Sequence, residues 1–307
     1  MRRALDGIRQ RAEIDSAVPP PPTLSSTEFW TENNVTRHQR FSSVESSLAQ
    51  LDWRNGQYFD YTTLMPPSGH DGKVILDYGC GPGIDLVAFG SFSRPSRLVG
   101  ADVSAPSLVE ARDRLALHEI KAELLHLRDQ SPKLPFPDAT FDLVHSSGVI
   151  HHVEDPVAVL RELRRVLKPD GQALIMVYNY QSVFVHLYIA YTVQLVEGRF
   201  RDASLKEAFR ELTDGPGCPI SRAYRPEEFL ALATQAGFGA EHTGNSVAAL
   251  ELAQLMSRGT ALIHPGLGAE QRAFLRKLEL DRRGLPMIDG QYAGVDACFR
   301  LRPKRGP

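Results

Sequence analysis

An apolar run, Val74-Ile75-Leu76, leads into an acid and a glycine-rich bend, Asp77-Tyr78-Gly79-Cys80-Gly81-Pro82-Gly83. No other feature constrains the chain as strongly. A bend of this kind ends a buried strand and opens a helix. Its glycines let the backbone turn sharply and let a ligand lie against the peptide with no Cβ in the way. Nineteen residues after Gly83 stands Asp102, closing a second apolar run, Val99-Gly100-Ala101-Asp102-Val103. An acid at the end of that strand is placed to accept hydrogen bonds from ribose hydroxyls.

The residues around the bend alternate between strand and helix patterns. Strands are expected at 74–78, 97–103, 122–127, 141–146 and 172–179, and helices at 85–92, 107–118 and 155–167. Lys168-Pro169-Asp170-Gly171 reads as a turn. This order predicts an α/β fold with a doubly wound, mostly parallel sheet. Residues 1–26 form an N-terminal extension that contains a polyproline run at 19–22, and 27–72 an aromatic-rich helical cap. Residues 73–180 make the ligand-binding core. Residues 181–237 are too long for a simple crossover and read as a helical lid over the sheet edge. Residues 238–307 return to the sheet with a strand at 238–242, helices over 246–283 and a last strand at 292–301.

Composition narrows the function classes. Across 307 residues the formal net charge is -2, so a nucleic-acid partner lacks the usual basic excess. The three cysteines, Cys80, Cys218 and Cys298, are far apart and form no CxxC pair. That spacing argues against a disulfide framework or a metal site. The most apolar stretch, 183–196, is too short and too polar to span a bilayer, and no apolar segment follows the basic N-terminus. The expectation is a cytoplasmic chain with neither a membrane nor a nucleic-acid partner.

The charges around the bend discriminate between ligands. A pyrophosphate there would face Asp77 and Asp85 and be repelled. The spacing is G-x-G-x-G, whereas the dinucleotide pattern is G-x-G-x-x-G. A cationic sulfonium compound that also carries an ammonium group suits an acidic rim better. Residues 74–179 closely resemble the core of the class I methyltransferases that use S-adenosylmethionine (SAM), in particular the group acting on quinones, sterols and natural products. The resemblance is carried by the glycine bend, by Asp102, and by Phe141-Asp142-Leu143-Val144-His145-Ser146-Ser147-Gly148-Val149-Ile150-His151-His152-Val153. The turn Leu167-Lys168-Pro169-Asp170-Gly171-Gln172 extends it.

The resemblance implies a seven-stranded sheet whose last strand is antiparallel, with SAM as cofactor at the C-terminal strand ends. It implies cofactor contacts from Asp77, Gly79, Cys80, Gly81 and Gly83, ribose binding by Asp102, and adenine contacts from Val103, Asp129 and Gln130. The backbone near Ser146 would face the SAM amino group. His151 and His152 are the candidate bases, with a supporting role in the loop as the alternative. Acceptor contacts are expected from the flanking segments. Before the sheet these are Trp30 and Tyr58, with His38, Trp53 and Arg54 as further candidates. After it they are Asn179, Tyr180, Arg222 and Tyr224, with His186 and Tyr188 in addition. Arg222 with Tyr224 would clamp a carboxylate. Phe184, Tyr188 and Tyr191 share a helical face and read as core or as the contact of a homodimer. The acceptor is expected to be a small molecule offering oxygen, nitrogen or sulfur, with a thioether or an amino acid such as methionine included. A protein or RNA methyltransferase and a non-catalytic SAM-binding module are the alternatives.

Overall fold

The computed structural model describes residues 24–127 and 132–304. The polyproline run at 19–22, Asp129 and Gln130 lie outside the described residues.

Seven strands form the main sheet: β1 (Val74–Tyr78), β2 (Arg97–Asp102), β3 (Glu123–His126), β4 (Phe141–Ser147), β5 (Leu167–Tyr178), β6 (Phe238–Ala248) and β7 (Asp296–Pro303). Their spatial order is β6-β7-β5-β4-β1-β2-β3. β1 to β5 pair in parallel, and β7 runs antiparallel to both β5 and β6. A two-residue strand, Tyr58–Phe59, pairs antiparallel with β6 and makes the sheet eight-stranded. The chain winds outward from β1 in two directions, so the crevice between the ends of β1 and β4 is the switch point where ligands bind in such sheets.

The inner strands are apolar because both faces are covered. In β1, Ile75 and Leu76 have no exposed surface, and in β4 neither have Leu143 and Val144. Helix α1 (Ser26–Glu32) and α2 (Val44–Gly56) precede the sheet, and α3 (Ile84–Phe92), α4 (Ala105–Leu117) and α5 (Pro156–Val166) connect its strands. In α5, Pro156 occupies the first turn and the Asp155 side chain accepts the Ala158 N–H at 2.9 Å. That cap satisfies a donor that would otherwise be orphaned. Val159, Leu160, Leu163 and Val166 point into the core, each worth roughly 1.5–3 kcal/mol by burial.

Three boundaries differ from expectation. β5 starts at Leu167, and its pairing with β4 steps from Phe141–Leu167 to Leu143–Gln172. The predicted turn at 168–171 is therefore an irregularity inside the ladder. β6 continues to Ala248, because its outer half is paired by β7 and by Tyr58–Phe59. β7 begins at Asp296, since Tyr292 pairs with Met287 in a separate three-stranded sheet. The apolar stretch at 183–196 is a π-helix, Phe184–Val196. Phe184, Tyr188 and Tyr191 are buried against other parts of the same chain. Among the described residues no helix is long and apolar enough to cross a membrane.

The N-terminal cap is pinned to the core through α4. Glu110 accepts from Asn34 Nδ2 at 3.0 Å and from Thr36 Oγ1 at 2.9 Å. Arg114 donates from Nε to Ser47 Oγ and from Nη2 to the Ser47 carbonyl, both at 2.8 Å. This docking brings Trp30, Arg54 and Tyr58 to the C-terminal end of the sheet.

Candidate active site

The glycine bend is stitched to the end of β2, where the Ala101 carbonyl accepts both the Gly79 N–H (2.7 Å) and the Cys80 N–H (3.1 Å). Gly79 has φ +79°, and a Cβ there would lie 2.2 Å from Val149 Cγ2. Gly81 has φ +50°, but a Cβ there would meet nothing within 4 Å. Gly79 thus answers a packing demand, while Gly81 leaves open space beside its backbone. Gly83 begins α3 and lies 3.0 Å, measured from an added Cβ, from Ala111 Cβ. Cys80 is buried and small, facing Gly100. Burial pushes its thiol well above the usual range, which removes it as a nucleophile.

Asp102 is buried and accepts one backbone N–H on each oxygen, Ser104 on Oδ1 and Gly81 on Oδ2, both at 2.8 Å. Burial raises its pKa, and the two N–H bonds oppose that shift. Each carboxylate oxygen offers two lone pairs, so each retains one that no backbone N–H occupies. Val103 beside it is half-buried, and its carbonyl lies 3.0 Å from His126 Nε2.

The acidic rim is less negative than a residue count implies, because other elements bring partners to its acids. Asp77 Oδ1 lies 2.8 Å from His145 Nδ1, with both side chains almost fully buried. Burial raises the Asp77 pKa against the pull of His145. Burial lowers that of His145, yet the Asp77 partner leaves it raised. Asp77 Oδ2 is buried with no partner in the protein. Asp85 receives Arg54 Nη2 at 2.5 Å and Nη1 at 3.2 Å. The unpartnered oxygen of Asp77 and the carboxylate of Asp102 are what remain to meet a cationic ligand. Together with the open backbone at Gly81 they fit the charge and shape of SAM.

At the end of β4 the Ser146 hydroxyl donates to the Tyr78 carbonyl at 2.9 Å and is fully buried. Its side chain is thus occupied. The next hydroxyl, Ser147, lies 2.7 Å from Tyr61 Oη. His151 is fully buried, with neither ring nitrogen partnered. Its ring centroid lies 3.9 Å from Tyr178 and 4.1 Å from His152. Burial holds His151 far below the ordinary histidine range, so it is neutral and weakly basic. His152 is also lowered by burial. Its Nδ1 lies 2.7 Å from the Ile220 carbonyl, and the Trp30 ring covers it at 4.7 Å.

The acceptor candidates separate into two groups. Trp30, Tyr58 and Arg54 gather near the strand ends, whereas Trp53 is 56% exposed and His38 is engaged with Glu110 at 2.5 Å. Asn179 is spent on backbone: its Nδ2 donates to Gly294 and Gln181 carbonyls, and its Oδ1 accepts the Gln181 N–H. Arg222 donates to the Val153 and Glu154 carbonyls, so it fastens the turn after β4 and offers no free fork to a carboxylate. Tyr224 packs on Phe229, with its hydroxyl buried and unpartnered. Tyr180 lies under the Arg225 guanidinium and donates to Glu270. His186 stacks on Phe274 at 4.2 Å.

Sequence reasoning missed Asp296. It starts β7, opposite Tyr178 on one side and Ser246 on the other. Only 2% of it is exposed, and Ser246 Oγ donates to its Oδ2 at 3.2 Å. Burial pushes its pKa up to about 7. The available signal was one acid in an otherwise apolar stretch, Ala293-Gly294-Val295-Asp296-Ala297-Cys298-Phe299. The sequence also shows no metal-ligand spacing, yet the fold gathers His152, Asp214 and Cys218, their ligand atoms all within 4.8 Å of one another.

Comparison with known proteins gives the family and the fold. The family model described as a methyltransferase domain matches residues 76–175. An uncharacterised methyltransferase of Schizosaccharomyces pombe is 41% identical over 136 residues, 42% of this chain and 48% of that protein. The chain thus spans about half the length of that relative. The ubiquinone/menaquinone biosynthesis C-methyltransferase UbiE of Xylella fastidiosa is 32% identical over 239 residues, covering 76% of this chain and 87% of that one. Among solved structures, a Haemonchus contortus phosphoethanolamine N-methyltransferase 2 shares the fold at TM-score 0.50 and 18% identity, covering 92% of this chain and 61% of that one. With a relative of this identity aligned over most of its length, the chain belongs to the class I SAM-dependent methyltransferases.

Proposed function

We propose that the chain methylates a small-molecule acceptor that gives up a proton as it reacts, and that Asp296 receives the proton. The observation that carries this reading is a buried carboxylate at the C-terminal edge of the sheet, with a single hydroxyl donor and a pKa pushed up to about 7. A base with that pKa is half-ionised at neutral pH and is strong enough to take a proton in the transition state. When bound, SAM would supply a methyl activated by its sulfonium sulfur, which would keep the electron pair of the carbon–sulfur bond. Gly81, Asp102 and Asp77 hold the cofactor end. Trp30, Tyr58 and Tyr178 flank the acceptor end and exclude water, which favours an orientation-driven displacement.

Similarity to UbiE over 87% of that protein favours an activated carbon as the acceptor atom. A carbon acid also releases a proton, so Asp296 serves that chemistry as well as hydroxyl or amine acceptors.

The test begins with methyl-labelled SAM and pooled metabolites, with mass identification of the labelled product. Asp296→Asn is then expected to lower kcat by about 10²–10⁴ while the SAM affinity stays within a few-fold. A variant that retains kcat removes the base from Asp296. Labelling of a protein or RNA in place of any metabolite overturns the small-molecule reading.

A further inference from the structure

We propose that His152, Asp214 and Cys218 form a site for a divalent zinc-class ion, clasping the loop after residue 213 to the turn that follows β4. The three residues are 62 and 4 positions apart in the chain, and only the fold unites them.

The first argument is an electrostatic conflict. The Ile220 carbonyl can only accept, so His152 Nδ1 must carry the hydrogen of their 2.7 Å bond. In a neutral ring, Nε2 then presents a lone pair. That lone pair lies 3.6 Å from Asp214 Oδ1, with both side chains 6% exposed. Two buried acceptors face one another, and a cation between them converts repulsion into attraction.

The second argument is the support around the ligands. Metal-binding histidines almost always donate their other nitrogen to a carbonyl or carboxylate, which fixes the ring and raises its basicity. His152 already has that bond. Ser221 Oγ donates to Asp214 Oδ2 at 2.7 Å and Tyr178 Oη to Oδ1 at 3.1 Å, which orients the carboxylate. Trp30 covers the imidazole at 4.7 Å.

The donor set chooses the ion. Nitrogen, sulfur and one carboxylate oxygen suit zinc, with bonds of about 2.0–2.3 Å. Tetrahedral zinc bonds of those lengths hold ligand atoms roughly 3.3–3.7 Å apart, so the observed 4.8 Å limit closes with an inward movement of about 1 Å. Burial pushes the Cys218 thiol up to about 12, and ligation must overcome this; a bound ion deprotonates a coordinating thiol outright. Three protein ligands leave a fourth position. Trp30 and Tyr178 touch this cluster and, on the proposed function, the acceptor end, so a hydroxyl carried by the acceptor is the group that position would take.

The test uses the full chain, stripped with a chelator and titrated with Zn²⁺ and, separately, Co²⁺. One Zn²⁺ per chain is expected, and Co²⁺ should give a thiolate charge-transfer band in the near ultraviolet. Cys218→Ser should abolish the band and weaken Zn²⁺ at least tenfold, while Cys298→Ala keeps both. SAM binding and thermal melting of each variant report that it is folded. No stoichiometric uptake, or equal losses in Cys298→Ala, overturns the site. If Cys218→Ser fails to fold, a native Co²⁺ complex without the thiolate band overturns it as well. None of these readouts involves methyl transfer, so they stand apart from the fate of Asp296.

Discussion

The Gly81 N–H donates to Asp102 Oδ2 at 2.8 Å, tying the glycine bend to the end of β2. The bond crosses 21 residues of sequence and sets the distance between the bend and the end of β2. Asp102 therefore shapes the bend.

Asp102→Ala should weaken SAM binding roughly tenfold to a hundredfold, since a hydrogen bond to a charged group is worth about 1.5–3 kcal/mol. It should also lower the melting temperature, because the Gly81 and Ser104 N–H groups lose their acceptor. Calorimetric titration with SAM and a thermal melt check both. Unchanged affinity would remove Asp102 from the cofactor site.

Gly79→Ala and Gly81→Ala should fail in different ways. Both pay the left-handed backbone penalty of about 1–2 kcal/mol. At Gly79 the new methyl also meets Val149 at 2.2 Å, so stability should fall further, and Val149→Ala should restore part of it. At Gly81 the methyl enters open space, so stability should fall less and SAM affinity more. Melting and titration of the three variants decide; equal melting temperatures for the two single variants would contradict the contact geometry.

Asp77→Asn removes the anion that holds His145 above its usual range. Burial and the nearby Arg54 charge then pull the imidazole down against Asp85 alone, and its pKa should drop below the ordinary value. An NMR titration of His145 reads this directly. SAM affinity should fall with it, because the unpartnered Oδ2 no longer offers a charge to a cation.

Two buried carboxyls should make stability decline with pH. Asp296 rises from 3.8 to about 7, and Glu251, which accepts the Phe184, Ala248 and Val295 N–H groups, from 4.5 to about 8. Between about pH 4 and pH 8 the folded chain holds protons that the unfolded chain has released, so their stabilising contribution is full at the acid end and is lost as pH rises. Asp296→Asn should flatten that slope and raise the melting temperature at pH 8 by at least about 2 °C, the shift of roughly 1 kcal/mol at this size. In the native enzyme kcat/KM should climb with pH and level off above about 7. A flat profile would remove Asp296 as the base.

Much of the core was legible before any coordinates. β1, α3, β2, α4, β4 and α5 lie within two residues of their expected limits, because short apolar runs mark the buried strands and α3, apolar spacing marks α4 and α5, and glycine, proline or capping residues bound them. The later boundaries were harder. β6 and β7 take their lengths from each other and from Tyr58–Phe59, and partners so distant leave no local mark. The roles of Asn179 and Arg222 eluded residue type alone, since a polar side chain reads the same whether it meets a ligand or a neighbouring carbonyl.

The order of strands and helices, the glycine bend and the position of Asp102 follow from the sequence by itself, because local periodicity and backbone freedom specify them. Which acids remain free for a ligand was decided only in three dimensions. Arg54 reaches Asp85 from α2, His145 reaches Asp77 from β4, and Asp296 is buried by two neighbouring strands. Charge and burial are properties of a neighbourhood, and long-range packing assembles that neighbourhood.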